Sequence, residues 1–395
     1  MFSHLVLIIL LALLTFGGVL RYSWFAICIA WCIGIAGLLI FRSRRIDLKL
    51  VITVGCSAAM LAVFPTKTAA VLVALPWAWY AAQEGNRRIL RFFHVVMVVG
   101  ILEAFLGILQ FFVFPGWILG YQNSLPWPSG TLINRNHFAG LLEMMIPVPF
   151  GLAFIQARRY GGIARPYLYL FCSAFIGAAL FMAGSRMGVF SFFVTVVMLT
   201  VLIRLRSSQR RLAAGMALTV VSFFLLTAVW IGVDSIWQRY EGLLQEEGVL
   251  QDGRLMVFRD TLRLIAAHPL GIGVNSYQDV FRKYQTYKPE LLFDHAHNDY
   301  LETAAEWGFI PAAVFWSFVG SVLFKAMRAF IEFDSPEKQG ILLACIGSIF
   351  SILVHSLVDF NLQIPSNAIL FCSFVGIAFA VSMSTSHYRG GDAPR

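Results

Sequence analysis

The chain has 395 residues, of which 59% are hydrophobic and only 13% charged, and its mean hydropathy is +0.75. A soluble domain carries about 25% charged residues, so the composition excludes most soluble enzymes and any disordered or collagen-like chain. What remains is an all-α polytopic membrane protein. The net charge of +9 would suit a nucleic-acid binder only if the basic residues gathered on one face.

A helix needs about 20 apolar residues to cross the hydrocarbon core. Taken in chain order, apolar runs of that kind stand near 4–20, 22–41, 48–64, 69–82, 92–114, 137–156, 167–184, 187–203, 212–232, 309–325, 340–358 and 366–384, about twelve transmembrane helices in all. The first run lacks the basic start and small-residue cleavage site of a removable signal peptide, so it is expected to remain as a helix. Basic residues mark the cytoplasmic loops. With the N-terminus inside, Arg42, Arg44, Arg45 and Lys49, then Arg87, Arg88 and Arg91, then Arg158, Arg159 and Arg165, then Arg204, Arg206, Arg210 and Arg211 all fall on the cytoplasmic side. Lys325, Arg328, Lys338, Arg389 and Arg395 follow them, and both termini are expected in the cytoplasm. The short outer loops hold only Arg21, Lys67, Arg135 and Arg186. The positive charge therefore orients the chain, and no nucleic-acid partner is expected.

Cys28, Cys32, Cys56, Cys172, Cys345 and Cys372 all lie in apolar runs. They read as small buried hydrophobes, with no disulfide framework and no metal site.

Two outer connections break the pattern. Residues 115–136 are rich in Pro, Gly and Trp, and residues 233–308 form a loop too long to be mere connection. The long loop has twelve acidic and seven basic residues, so bulk attraction of an anion is not how it would bind one. No repeat or separate soluble domain interrupts residues 1–395, which read as one integral membrane domain with an outer cap.

The polar chemistry gathers at the outer ends of the spans. From Asp252 to Ala267, Leu255, Phe258, Leu262 and Ile265 follow helical spacing and make one apolar stripe, flanked by Arg254 and Arg259. This predicts an amphipathic helix on the membrane face or the bundle, stopped by His268-Pro269. Its arginines could snorkel at an interface or hold an anion. Gly271-Ile272-Gly273 follows a helix, not a strand, and so predicts a tight turn and not a dinucleotide loop.

His295-Ala296-His297-Asn298-Asp299 stands at a membrane boundary. The residues suit a metal site with a carboxylate, a general base oriented by a neighbour, or a helix entry capped by Asn or Asp. Arg186, wedged in a short turn between two spans, is costly to place and should face a polar cavity or an anionic ligand. Asn134-Arg135-Asn136-His137 and His355 to Asn361, with Asp359 between, occupy similar boundaries. Glu103 and Glu143 lie inside spans and are expected to be paired there. Three or four arginines that can grip phosphate, with several histidines, one of which can take a hydroxyl proton, and paired carboxylates, suit an anionic, membrane-delivered substrate. The different class that the composition allows is a transporter or flippase, whose polar groups should lie near the bilayer midplane.

Gly184-Ser185-Arg186, then Asp252-Gly253-Arg254 through Arg259 to His268-Pro269-Leu270-Gly271-Ile272-Gly273, then His297-Asn298-Asp299-Tyr300-Leu301 to Gly308, resemble the O-antigen ligase and O-antigen polymerase superfamily. Asn134 to Gly140 and His355 to Phe360 also resemble recurring segments of that family. The resemblance spans roughly residues 130–375. It implies a GT-C-like architecture in a bacterial inner membrane, with 233–308 as a large periplasmic loop. It also implies inverting transfer of a glycan from undecaprenyl diphosphate to a hydroxyl of the lipopolysaccharide core or of another glycan, without metal, nucleotide or other cofactor; relatives glycosylate protein serines. Carried over by position, His297 would be the base and Arg186, Arg254 and Arg259 would hold the donor diphosphate. His295, Asn298, Asn136, His355 and Asp359 would support them. Ligases of the family often carry a second glycine three residues after the one matched by Gly308, and Pro311 stands there instead. His295 leaves open which imidazole is the base.

Overall fold

In the computed structural model the chain is described at residues 1–42, 48–63, 66–123, 127–160, 164–205, 215, 218, 221, 253–286 and 293–384. The apolar runs become helices in the expected order. They are α1 (Phe2–Leu14), α2 (Arg21–Arg42), α3 (Leu48–Val63), α4 (Thr66–Leu72), α5 (Ala74–Ala82), α6 (Asn86–Phe112), α7 (Arg135–Met145), α8 (Pro147–Tyr160), α9 (Ala164–Met182) and α10 (Arg186–Leu205). After them come α11 (253–267), α12 (Tyr277–Phe281), α13 (Asp299–Trp307), α14 (Phe309–Glu332), α15 (Pro336–His355) and α16 (Pro365–Ser382). Among the described residues, 7 helices are long and apolar enough to cross a membrane, and three shorter apolar helices, Phe2–Leu14, Tyr22–Leu38 and Leu48–Ala62, accompany them.

Some runs are broken. The run at 69–82 is two short helices, α4 and α5, and the one at 137–156 is α7 and α8, joined at Ile146 just before Pro147 and Pro149. A proline removes a backbone donor and crowds the preceding turn, which accounts for the second break. The span expected at 212–232 lies for the most part outside the described residues.

α15, α16 and α7–α8 form the buried centre. α15 packs on α8 through glycines: a Cβ on either Gly151 or Gly340 would run into the other helix's backbone. Helices meeting in lipid gain by such close approach. Buried serines add interhelical bonds, Ser191 Oγ donating to Ser351 O and Ser348 Oγ to Met144 O. At the periphery, Phe309, Ile310, Val314 and Phe324 of α14 are each more than 60% exposed. A large uncovered apolar surface is foreign to water and ordinary in a bilayer. The chain is an all-α, multi-pass membrane protein.

One end of the bundle carries a cap. Val257, Leu264, Tyr277, Phe281, Ala296 and Ala305 form a small apolar core separate from that of the bundle. At the same end, residues 117–118 and 121–122 pair as an antiparallel ribbon. Two polar residues of α6 hold this connection. Gln110 Nε2 donates to Trp117 O and Gly130 O, each at 2.7 Å, and Glu103 accepts from the N–H and hydroxyl of Thr131. Glu103 is thus partnered inside its span as expected, by hydrogen bonds.

The amphipathic helix runs over 253–267 as expected, and a polar pair shares its buried face. Leu255 and Leu262 are 66% and 55% exposed, while Val257, Asp260, Thr261 and Leu264 are buried. The buried polar pair is fully engaged: Asp260 accepts from the N–H and hydroxyl of Thr286, and Thr261 bonds the Tyr277 hydroxyl at 2.6 Å. Of the expected stripe, Leu255 and Leu262 are exposed while Phe258 and Ile265 are half-buried, Ile265 against the cap core.

Candidate active site

The turn from α15 to α16 and the entry to α13 are stitched together. Asn298 caps α13, its Oδ1 accepting from Leu301 N–H at 2.9 Å, and its Nδ2 donates to Leu357 O at 2.8 Å. Asp299 N–H donates to Ser356 O, while Asp299 Oδ2 accepts from the Ser356 hydroxyl at 2.7 Å and from Leu362 N–H at 3.1 Å. Tyr300 donates its hydroxyl to Leu353 O. These bonds bring His297 beside the His355–Asp359 turn, about sixty residues away in sequence. Asn298 is thus a cap, and through the cap a positioning residue.

His297 sits at φ +49, a conformation few non-glycine residues adopt. Its Nδ1 is buried without a hydrogen-bond partner, and the Asp359 carboxylate lies 4.0 Å away. Burial lowers the His297 pKa below the ordinary histidine value; Asp359 opposes this and Arg254 adds to it. Asp359 is also buried, which by itself favours its protonated form, yet the surrounding His137, His355, His297 and Arg254 hold its pKa below the usual value. Behind it, His355 Nε2 stands 3.9 Å from Asp359 Oδ2, and His355 Nδ1 meets Glu143 Oε2 at 3.1 Å. Glu143 is paired, as expected. The four side chains form a row from buried Glu143, His355 and Asp359 out to half-buried His297.

The two histidines of the motif differ in kind. His295 Nδ1 bonds Glu302 Oε1 at 2.6 Å, and Ala296 N–H donates to the other oxygen of the same carboxylate. Burial pushes the His295 pKa down, but Glu302 outweighs it and leaves the pKa raised. The ring stacks on Phe360 at 4.1 Å, with His297 against the same ring edge-on at 5.0 Å and His137 edge-on at 4.6 Å. Phe360 and Glu302 thus sort the imidazoles, and nothing in the local motif marks Phe360 for that work. Among the described residues no group of three His, Cys, Asp or Glu is arranged to hold a metal ion.

A cavity of about 410 Å³ opens against the row. Arg186, Arg254, Asn136, His355 and Asp359 give it polar walls, and Met187, Phe190, Leu255 and Phe258 give it apolar ones. Arg186 enters it as the first residue of α10, directly after the Gly184-Ser185 turn. Arg254 enters from the first turn of α11. Arg259, the third expected guanidinium, is exposed and does not line this cavity. Asn136 lines it, while Asn134 caps α7 by accepting from Asn136 N–H at 2.8 Å.

The glycine pair behaves as a turn. Ile272 N–H donates to Ala305 O and Gly273 N–H to Glu306 O, which docks the turn on the end of α13. Gly271 at φ +90 and Gly308 at φ +92 stand backbone to backbone there.

Residues 171–316 match the O-antigen ligase family model. The match contains Arg186, Arg254, His295 and His297, whereas Asn136, His355, Asp359 and Phe360 lie outside it. No curated protein matches the chain. The family's chemistry is the transfer of lipid-linked glycans by enzymes of the membrane. Over residues 171–316 the chain is thus similar to the O-antigen ligase family.

Proposed function

We propose that the chain transfers a glycan from undecaprenyl diphosphate to an acceptor hydroxyl, with inversion, at the periplasmic face of a bacterial inner membrane. The acceptor is the lipopolysaccharide core, as for a ligase, or another glycan, as for a polymerase. About twelve helices would span the membrane in a GT-C-like arrangement with both termini cytoplasmic. Residues 1–395 would form one integral membrane domain, and the long connection at 233–308 would be its periplasmic loop.

One observation carries this proposal: His297, neutral at pH 7 because its pKa is lowered, stands beside the buried Asp359 at the edge of a cavity lined by two arginines. With Nδ1 turned to Asp359, Nε2 is the nitrogen left for substrate. It takes the proton of the acceptor hydroxyl as that oxygen attacks the anomeric carbon. The bond from that carbon to the diphosphate oxygen breaks, and the electron pair leaves with the diphosphate. Arg186 and Arg254 stabilise the charge that builds there, and Asp359 stabilises the imidazolium. Arg259 contacts the diphosphate only if the cap moves. The apolar wall of Met187, Phe190, Leu255 and Phe258 suits the first isoprene units. No step draws on a metal or nucleotide.

Reconstitution tests this directly. Proteoliposomes receive a defined diphospholipid oligosaccharide with competing acceptors: core lipid, free glycan and a protein. The expected result is a new glycosidic bond to one of them. Movement of the donor across the bilayer with no new bond would favour a flippase instead.

A further inference from the structure

A second cavity of about 350 Å³ lies on the other side of Phe360. Its size falls in the range of about 300–1,000 Å³ usual for ligand sites. His297 lines neither cavity but touches both walls, with Asp359 toward the arginine cavity and Phe360 toward the second. The start of α7 and its cap divide in the same way, Asn136 facing the first cavity and Asn134 and His137 the second.

The lining of the two differs in chemistry. The first couples two guanidiniums to an apolar wall. The second holds hydrogen-bonding groups of every kind, Lys67 to donate, Asp294 to accept and Gln363 to do both, set among apolar surfaces that include Trp24. The Trp24 ring is fixed by its Nε1 donating to Gly18 O at 2.6 Å, and Lys67 Nζ lies 5.7 Å over it. Vicinal hydroxyls need donors and acceptors side by side, and the C–H face of a sugar ring needs an aromatic wall.

We propose that this second cavity is the acceptor subsite, binding the sugar ring whose hydroxyl His297 deprotonates. This rests on the transferase proposal above, in which inversion requires the attacking oxygen to approach the anomeric carbon opposite the departing diphosphate. Two cavities flanking one base provide that geometry. Trp24, Lys67, Asn134, His137 and Gln363 all lie outside residues 171–316. Donor chemistry is thus encoded mainly inside the matched segment, and acceptor choice mainly outside it.

Two bulky substitutions at exposed positions separate the subsites. Ile133 is 41% exposed on the second cavity and Leu255 is 66% exposed on the first. In proteoliposomes with a diphospholipid oligosaccharide, the acceptor that wild type uses among core lipid, free glycan and protein is titrated against each variant. Ile133→Trp is expected to raise the acceptor KM about tenfold or more with the donor KM within about twofold, and Leu255→Trp to do the reverse. Asp294→Ala, a truncation of an exposed side chain, should raise the acceptor KM in the same direction. A rise in donor KM for Ile133→Trp, or unchanged acceptor KM in both Ile133→Trp and Asp294→Ala, overturns the assignment while leaving the transferase intact. A wild-type chain that forms no glycosidic bond overturns the transferase proposal itself.

Discussion

In its proposed role as base, His297 must be neutral. Burial lowers its pKa below the ordinary value of about 6.5, so the acid limb of kcat/KM should lie below the pH at which an ordinary histidine titrates. The Arg254 charge contributes to that lowering. Arg254→Gln should therefore weaken donor binding and also move the acid limb to higher pH, which a pH–rate profile of the residual activity reads. An unmoved limb would mean that the guanidinium does not act on the imidazole. Residue types made His297, Arg186 and Arg254 candidates, and the family resemblance supplied the roles proposed for them. The choice between His295 and His297 was not legible in the sequence, because it depends on Glu302 reaching back seven residues and on Phe360 arriving from another turn. Arg259 was misplaced for a related reason. Hydropathy gave α11 an apolar stripe and left open whether it met the membrane or the bundle, whereas Asp260 and Thr261 are buried by bonds to Thr286 and Tyr277 that no periodicity reports.

Among elements, the cap depends on the turn that docks α11 and its following loop on the end of α13. A Cβ added to Gly271 would lie 2.6 Å from Glu306 O and from Gly308 N, at a φ that side chains rarely adopt. Gly271→Ala should cost about 1–3 kcal/mol from backbone strain alone, seen as earlier thermal unfolding and faster proteolysis of the cap. Wild-type protease resistance in the variant would show that the turn does not hold the cap. Asp299 offers a pH test at the entry to α13. Burial raises its pKa to about 8, so it is protonated at pH 7. A group whose folded pKa is raised contributes most below its unfolded value and loses that contribution as pH climbs through the folded one. Wild type should thus lose stability relative to Asp299→Asn as pH rises from 6 toward about 8, measured by thermal denaturation in detergent. Parallel curves would contradict it. The sequence announced the turn and the helix stop at His268-Pro269, whereas the run at 137–156 reads as one span with no break expected before Pro147. The break between α4 and α5 had no comparable signal.

At the scale of the molecule, composition alone dictates a bundle that turns apolar side chains outward, and the exposed face of α14 shows it. Orientation follows from where the arginines fall. In a cysteine-free background, Leu270→Cys, at a site 89% exposed on the cap, should react with an impermeant thiol reagent added outside the cell. Arg159→Cys should react only after the membrane is opened. The opposite pattern would invert the topology. The order of spans and the end where the chemistry gathers were legible because charge and hydropathy are local. The row from Glu143 to His297 was not, since it joins three segments that only folding brings together. Its measurement is the rate of glycan transfer by His297→Ala in proteoliposomes, read beside donor binding to the same preparation. Loss of general-base catalysis predicts a fall of about 10²–10⁴-fold in rate with donor binding unchanged; a rate equal to that of wild type would contradict the central role given to His297.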